Sequence, residues 1–119
     1  MKKFIQMNNF PFFQHHVAKL VFLKKEDITE NLADGIADLL IGAFSLKVVS
    51  QGKYQFTNNG LTKFWILSQS HLVIHSWPED SALHVDLMTC GLPVVTAKMI
   101  TKCFSSLSLK EIFVTRLKY

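Results

Sequence analysis

Short apolar runs alternate with polar turns along the chain, and two longer stretches carry apolar residues at helical intervals. His15 to Phe22 (HHVAKLVF) has the length and the β-branched and aromatic content of a strand, and Lys24, Lys25, Glu26 and Asp27 follow it as a turn. From Asp27 on, Ile28, Leu32, Ile36, Leu39, Leu40 and Ala43 line one face of a helix ending near Phe44, with Glu26 and Asp27 suited to its positive end. Lys47 to Thr57 and Leu61 to Ser68 read as a hairpin closed by Asn58-Asn59-Gly60, residues that tolerate the positive φ of such turns. His71 to Trp77 is a strand ended by Pro78, and Ala82 to Met88 alternates Leu83, Val85 and Leu87 with His84, Asp86 and Met88. Between Val94 and Phe104, the positions of Val95, Met99, Ile100 and Cys103 predict a second helix starting near Pro93, and Ile112 to Leu117 predicts a last strand. The order β-α-β-β then β-β-α-β predicts an α+β fold, a two-layer sandwich of one antiparallel sheet with two helices on one face. No linker or low-complexity tract divides residues 1–119, so a single domain is expected.

Composition narrows the function classes. With 49% hydrophobic and 18% charged residues in 119, and ten Phe, the chain lies far from disorder. The net charge of +4 is spread over scattered lysines and Arg116 is the only arginine, which argues against nucleic acid as a partner. Polar Gln6, Asn8, Asn9 and Pro11 interrupt Met1 to Phe13, so this segment reads as a short leader or arm and not as a secretory signal. No apolar run approaches the ~20 residues of a membrane span. A cytoplasmic protein is expected, with Cys90 and Cys103 as free thiols.

Reactive side chains concentrate between Trp65 and Gly91 (WILSQSHLVIHSWPEDSALHVDLMTCG). His71 and His75 have a spacing that binds metal on a helix, but on a strand, at ~3.3 Å per residue, their α-carbons stand about 13 Å apart, too far to share one zinc, so no metal site is expected in this chain. Ser70 and Cys90 are candidate nucleophiles and His75 a candidate base, yet the serine lacks the flanking glycines of a hydrolase elbow. Taken singly, Ser70 also reads as a turn residue, Cys90 as a small hydrophobe and Trp77 as core.

The ordered set Ser-His, Ile-His, Trp-Pro-Glu and Thr-Cys-Gly within Ser68 to Gly91 resembles the self-processing core of the prokaryotic-type, pyruvoyl-dependent S-adenosylmethionine decarboxylases, and the likeness extends back through Gly60 to Phe56. The resemblance implies a proenzyme that cuts itself between Gln69 and Ser70. Ser70 then becomes a covalent pyruvoyl group, the cofactor, which forms a Schiff base with S-adenosylmethionine and accepts the electrons of decarboxylation. It implies that His75 assists processing, with Thr62 at the place of a helping serine, and that Cys90 donates the proton to the decarboxylated carbon. Phe56 and Trp77 match positions that stack on adenine, and Glu79 matches a carboxylate that binds ribose. The acyl shift needs a pinched backbone and a base in reach, which a strand junction with His75 nearby supplies. The product would feed spermidine synthesis, chains 1–69 and 70–119 would stay associated, and processed protomers would pair as a homodimer.

Three departures stand out: Gln69 replaces the customary Glu, Asp80-Ser81 replaces a common His-Gly, and an extension precedes the usual start. Gln69 supplies its carbonyl from the backbone, so the attacked group is kept, but its side chain is neither a base nor an anion. Two other readings stay open: a pyruvoyl-dependent decarboxylase of arginine or ornithine, and an uncleaved, non-catalytic homologue that binds adenosyl compounds or an active relative.

Overall fold

The computed structural model describes residues 12–91 and 93–119, so the arm read at Met1 to Phe13 lies almost wholly outside the described residues. The elements are β1 (Phe13–Phe22), α1 (Glu30–Ala43), β2 (Val48–Gln55), β3 (Leu61–Leu67), β4 (Ser70–Trp77), β5 (Ala82–Cys90), α2 (Ala97–Cys103) and β6 (Leu109–Leu117), with 3₁₀ turns at Lys25–Asp27 and Pro78–Asp80. The six strands form one sheet in the order β2-β3-β4-β5-β1-β6, antiparallel throughout. The α+β sandwich and the element order are those the hydrophobic pattern predicts.

Strand periodicity sorts the side chains. Leu20, Leu72, Ile74, Leu83, Val85 and Leu87 point into a core with Ile36, Leu40, Ile100 and Phe104 of the helical layer. Alternating residues form the other face, where Phe64, Ile66 and Phe113 stay exposed. Lys63 of β3 reaches Glu30 at 2.8 Å and Asp34 at 2.6 Å, and Lys53 of β2 also reaches Glu30 at 2.8 Å, so α1 is clasped to the edge hairpin. These two ammonium groups hold the Glu30 carboxyl down to about 2.

Element ends differ from the expectation for physical reasons. Helix α1 begins after Thr29, whose hydroxyl accepts from the Leu32 N–H at 3.1 Å, so Glu26 and Asp27 belong to the preceding turn. Its buried stripe is Ala33, Ile36, Ala37 and Leu40; Leu32 and Leu39 flank it and Ala43 is exposed. Helix α2 is capped by Thr96, not opened by Pro93, and Met99 faces outward at 42% exposure. In the β2–β3 turn it is Asn59, not Gly60, that takes the positive φ, of 70°. Among the described residues no helix is long and apolar enough to cross a membrane.

Candidate active site

Strand β3 turns into β4 through Ser68 and Gln69, with Leu67 paired to Ser70. Gln69 has a φ of 62°. A tight turn usually gives such a position to Gly or Asn, and a longer side chain there costs roughly 1–2 kcal/mol. The strained residue is the one that supplies the carbonyl of the Gln69–Ser70 peptide. The Ser70 hydroxyl donates to the Ser68 carbonyl oxygen at 3.4 Å. His71 pairs with Met88, so Ser70 and Cys90 close the same end of adjacent strands, and both line a cavity of about 270 Å³ with Gln69 and Thr89. Cys90 and Cys103 are both free thiols.

The loop after Cys90 is held by a side chain that sequence reasoning passed over. Gln14, fully buried in β1, accepts from the Val95 N–H at 2.6 Å and donates to Thr89 Oγ1 at 3.5 Å and the Gly91 carbonyl at 3.4 Å. Gly91 takes a φ of 75°, which its missing Cβ makes inexpensive, and its N–H donates to the Phe12 carbonyl at 2.6 Å. Gln14 lies more than seventy positions from its partners, and a buried glutamine carries no local signal of this task.

At the other end of β4, His75 pairs with Thr62 of β3 across the ladder, and Thr62 Oγ1 lies 2.8 Å from His75 Nδ1. Burial, with the neighbouring His84 adding to it, lowers the His75 pKa below the usual histidine value. The ring is then neutral at neutral pH and its Nδ1 is able to accept the Thr62 hydroxyl proton. Thr62, His75, Phe56 and Trp77 line a cavity of about 490 Å³. Phe56 and Trp77 are about half exposed, at 47% and 49%, so their faces are available for stacking. Glu79 follows in the Pro78–Asp80 turn and borders the adjoining depression, which shares Asn58 with this cavity.

The chain therefore brings Ser70 together with Cys90, and Thr62 with His75, Phe56 and Trp77, but keeps the two groups apart. His75 is five residues beyond Ser70 on one strand, about 16 Å at the strand rise. Within one chain, His75 is not in reach of the Gln69–Ser70 bond, contrary to the expectation that the strand junction would place it there. The four histidines of the uncovered face also escaped the sequence pattern as a group: His15 of β1, His71 and His75 of β4 and His84 of β5 lie around Asp86 of β5.

A family model described as S-adenosylmethionine decarboxylase matches residues 16–118. Among similar proteins described as S-adenosylmethionine decarboxylase proenzyme, that of Hydrogenobaculum sp. (strain Y04AAS1) is 34% identical over 85 residues, covering 71% of this chain and 60% of the relative. That of Aquifex aeolicus (strain VF5) is 35% identical over 82 residues, covering 66% and 61%, and that of Archaeoglobus fulgidus is 32% identical over 79, covering 66% and 70%. The chain thus spans about 60% of the length of the first two relatives. The crystal structure of the adenosylmethionine decarboxylase from Aquifex aeolicus VF5 superimposes with a TM-score of 0.73 at 25% identity, over 90% of this chain and 89% of that one.

Proposed function

Since this chain belongs to the S-adenosylmethionine decarboxylase family, we propose that it is a proenzyme that cuts itself between Gln69 and Ser70 and then decarboxylates S-adenosylmethionine. The observation that carries this reading is the strained Gln69 set directly before Ser70, with Cys90 in the same cavity. The Ser70 hydroxyl attacks the Gln69 carbonyl carbon, and the amide becomes an ester as the Ser70 nitrogen is released. Loss of the Cα proton and of the Gln69 carboxylate breaks the ester. Water then replaces the nitrogen, which leaves as ammonia, and residue 70 remains as a pyruvoyl group. A serine at a pinched turn is the donor this chemistry requires.

When formed, the pyruvoyl group supplies an electron sink for the leaving carboxylate. The chain's own residues do the rest. Phe56 and Trp77 offer aromatic faces to adenine and to the sulfonium charge, and the Glu79 carboxylate accepts from ribose hydroxyls. The Cys90 thiol lines the same cavity as residue 70 and is placed to give its proton there. The product is the aminopropyl donor of spermidine synthesis.

The two halves of the machinery meet if a second copy packs on the uncovered sheet face. A two-fold axis lying between the faces and across the strands sets the Ser70 end of one β4 over the His75–Trp77 end of the other. That face carries exposed Phe64, Ile66 and Phe113 beside the half-buried Val73 and Met88, an apolar surface suited to such a partner. Each site then takes Ser70 and Cys90 from one copy and Thr62, His75, Phe56, Trp77 and Glu79 from its partner. Carbon dioxide release from carboxyl-labelled S-adenosylmethionine tests the activity, and release from arginine or ornithine instead transfers the assignment to those substrates. Ser70→Ala and His75→Ala chains, each inert alone, test the shared site: when co-folded, the His75→Ala chains should be cut, and no cutting in the mixture contradicts it.

A further inference from the structure

A second constellation lies on the uncovered face, outside the machinery just described. His15 of β1 and His71 of β4 both sit opposite Met88 of the intervening β5, and Asp86 stands two residues along that strand on the same face. One carboxylate oxygen, Asp86 Oδ1, is 2.8 Å from His15 Nε2 and 3.1 Å from His71 Nε2. The three donor atoms all lie within 4.8 Å of one another. We propose that His15, His71 and Asp86 form a binding site for one divalent transition-metal ion, zinc in the first instance.

The donor types fit. Two imidazoles and a carboxylate are a set that zinc and its neighbours bind with an open position left for water. Metal–ligand bonds of roughly 2.0–2.2 Å in a tetrahedron put ligand atoms about 3.3 Å apart. The observed 2.8 and 3.1 Å separations need to open by only a few tenths of an ångström, and the two imidazole nitrogens, within 4.8 Å of each other, have to settle at that same spacing. Neighbouring sheet strands hold the three residues, so little ordering remains to be done on binding.

A fourth residue orients one ligand. His15 Nδ1 lies 2.6 Å from the Tyr119 hydroxyl oxygen. That hydroxyl donates to Nδ1 when Nε2 carries the proton, and accepts from Nδ1–H when Nε2 turns its lone pair to a metal, so the tautomer that ligation requires is already provided for. The side chains of His15, His71 and Asp86 are 17%, 34% and 29% exposed in the single chain, and a second copy packed on this face would enclose the ion between the two sheets. The expectation of no metal site rested on the spacing of His71 and His75 alone, and this proposal departs from it. His15 was invisible to that argument because it stands 71 positions from Asp86. All three ligands come from one chain, so this site stands or falls independently of the shared active site.

The competing account is a metal-free cluster in which both imidazole N–H groups donate to Asp86. Full-length protein stripped with a chelator and titrated with Zn²⁺ against a chromophoric competitor separates the two. The proposal predicts one zinc per chain, affinity reduced at least about a hundredfold in His15→Ala and in Asp86→Asn, and reduced about tenfold in Tyr119→Phe, the scale of losing an orienting partner. Cobalt in place of zinc should show ligand-field bands without thiolate charge transfer. Failure of the wild type to bind zinc stoichiometrically overturns the site whatever the folding of the variants. So does full affinity in Asp86→Asn, or a thiolate band that assigns the ion to Cys90 or Cys103.

Discussion

Replacing Gln69 by Gly isolates the contribution of the turn to self-cleavage. A glutamine at φ 62° carries roughly 1–2 kcal/mol of strain that glycine does not, and the strained residue supplies the carbonyl that Ser70 attacks. If the whole of that strain is released on the way to the acyl shift, its removal raises the barrier by the same amount and slows cleavage about five- to thirtyfold. The stability of the precursor is a poor readout, because glycine also loses about 0.5–1 kcal/mol more conformational entropy on folding. The rate is unaffected by that term, since it starts from the folded precursor. Gln69→Asn, which tolerates the left-handed region better than glutamine, should fall between wild type and Gly. The assay is the time course of uncut chain by intact mass after refolding of each precursor. Cleavage of Gln69→Gly as fast as wild type, or faster, would refute the idea that stored backbone strain drives the step.

Two other outcomes follow from named side chains. Cys90→Ala, once processed, should lose about 10²- to 10⁴-fold in turnover if its thiol supplies the proton, measured as single-turnover release of carbon dioxide; a rate close to wild type would leave Cys90 a packing residue. His16 is buried on the helical side with neither ring nitrogen hydrogen-bonded among the described residues, and burial, then Arg116 and His15, lowers its pKa from the ordinary histidine value of 6.5. Its folded pKa being depressed, its neutral form supports the fold fully above pH 6.5, and that support is lost as pH falls through the unfolded value towards the folded one. His16→Leu leaves no partner unsatisfied, so it should be neutral or stabilising at pH 8 and flatten the loss of stability towards pH 5.5 in urea melts. A slope identical to wild type would contradict this.

Sequence legibility varied with the range of the interactions. The alternation of Leu83, Val85 and Leu87 with His84, Asp86 and Met88 is local, and β5 follows it residue by residue. In α1 the large Leu32 and Leu39 drew the predicted stripe to one side, whereas small Ala33 and Ala37 occupy its centre against the sheet. Lys110 and Glu111 hid the first third of β6, an edge strand whose outward positions tolerate charge. In the candidate site, the motif singled out Ser70, Cys90, Thr62, His75 and the aromatic pair for the proposed roles but not their division between two ends of β4. The strand rise that separates His71 from His75 separates Ser70 from His75 as well, so this division was already implicit in the spacing. The Gln14 clamp and the His15–Asp86–His71 cluster were not, because their members meet only after β1 inserts between β5 and β6.

Self-cleavage at one peptide bond is the central claim, and intact-mass analysis of the purified, incubated protein tests it most directly. The account predicts two fragments, one ending at Gln69 and one beginning at residue 70 with the mass of a pyruvoyl group and no free amine, and a single uncut chain for Ser70→Ala. A wild-type chain that stays whole, fragments cut at another bond, or normal cutting of Ser70→Ala would contradict it.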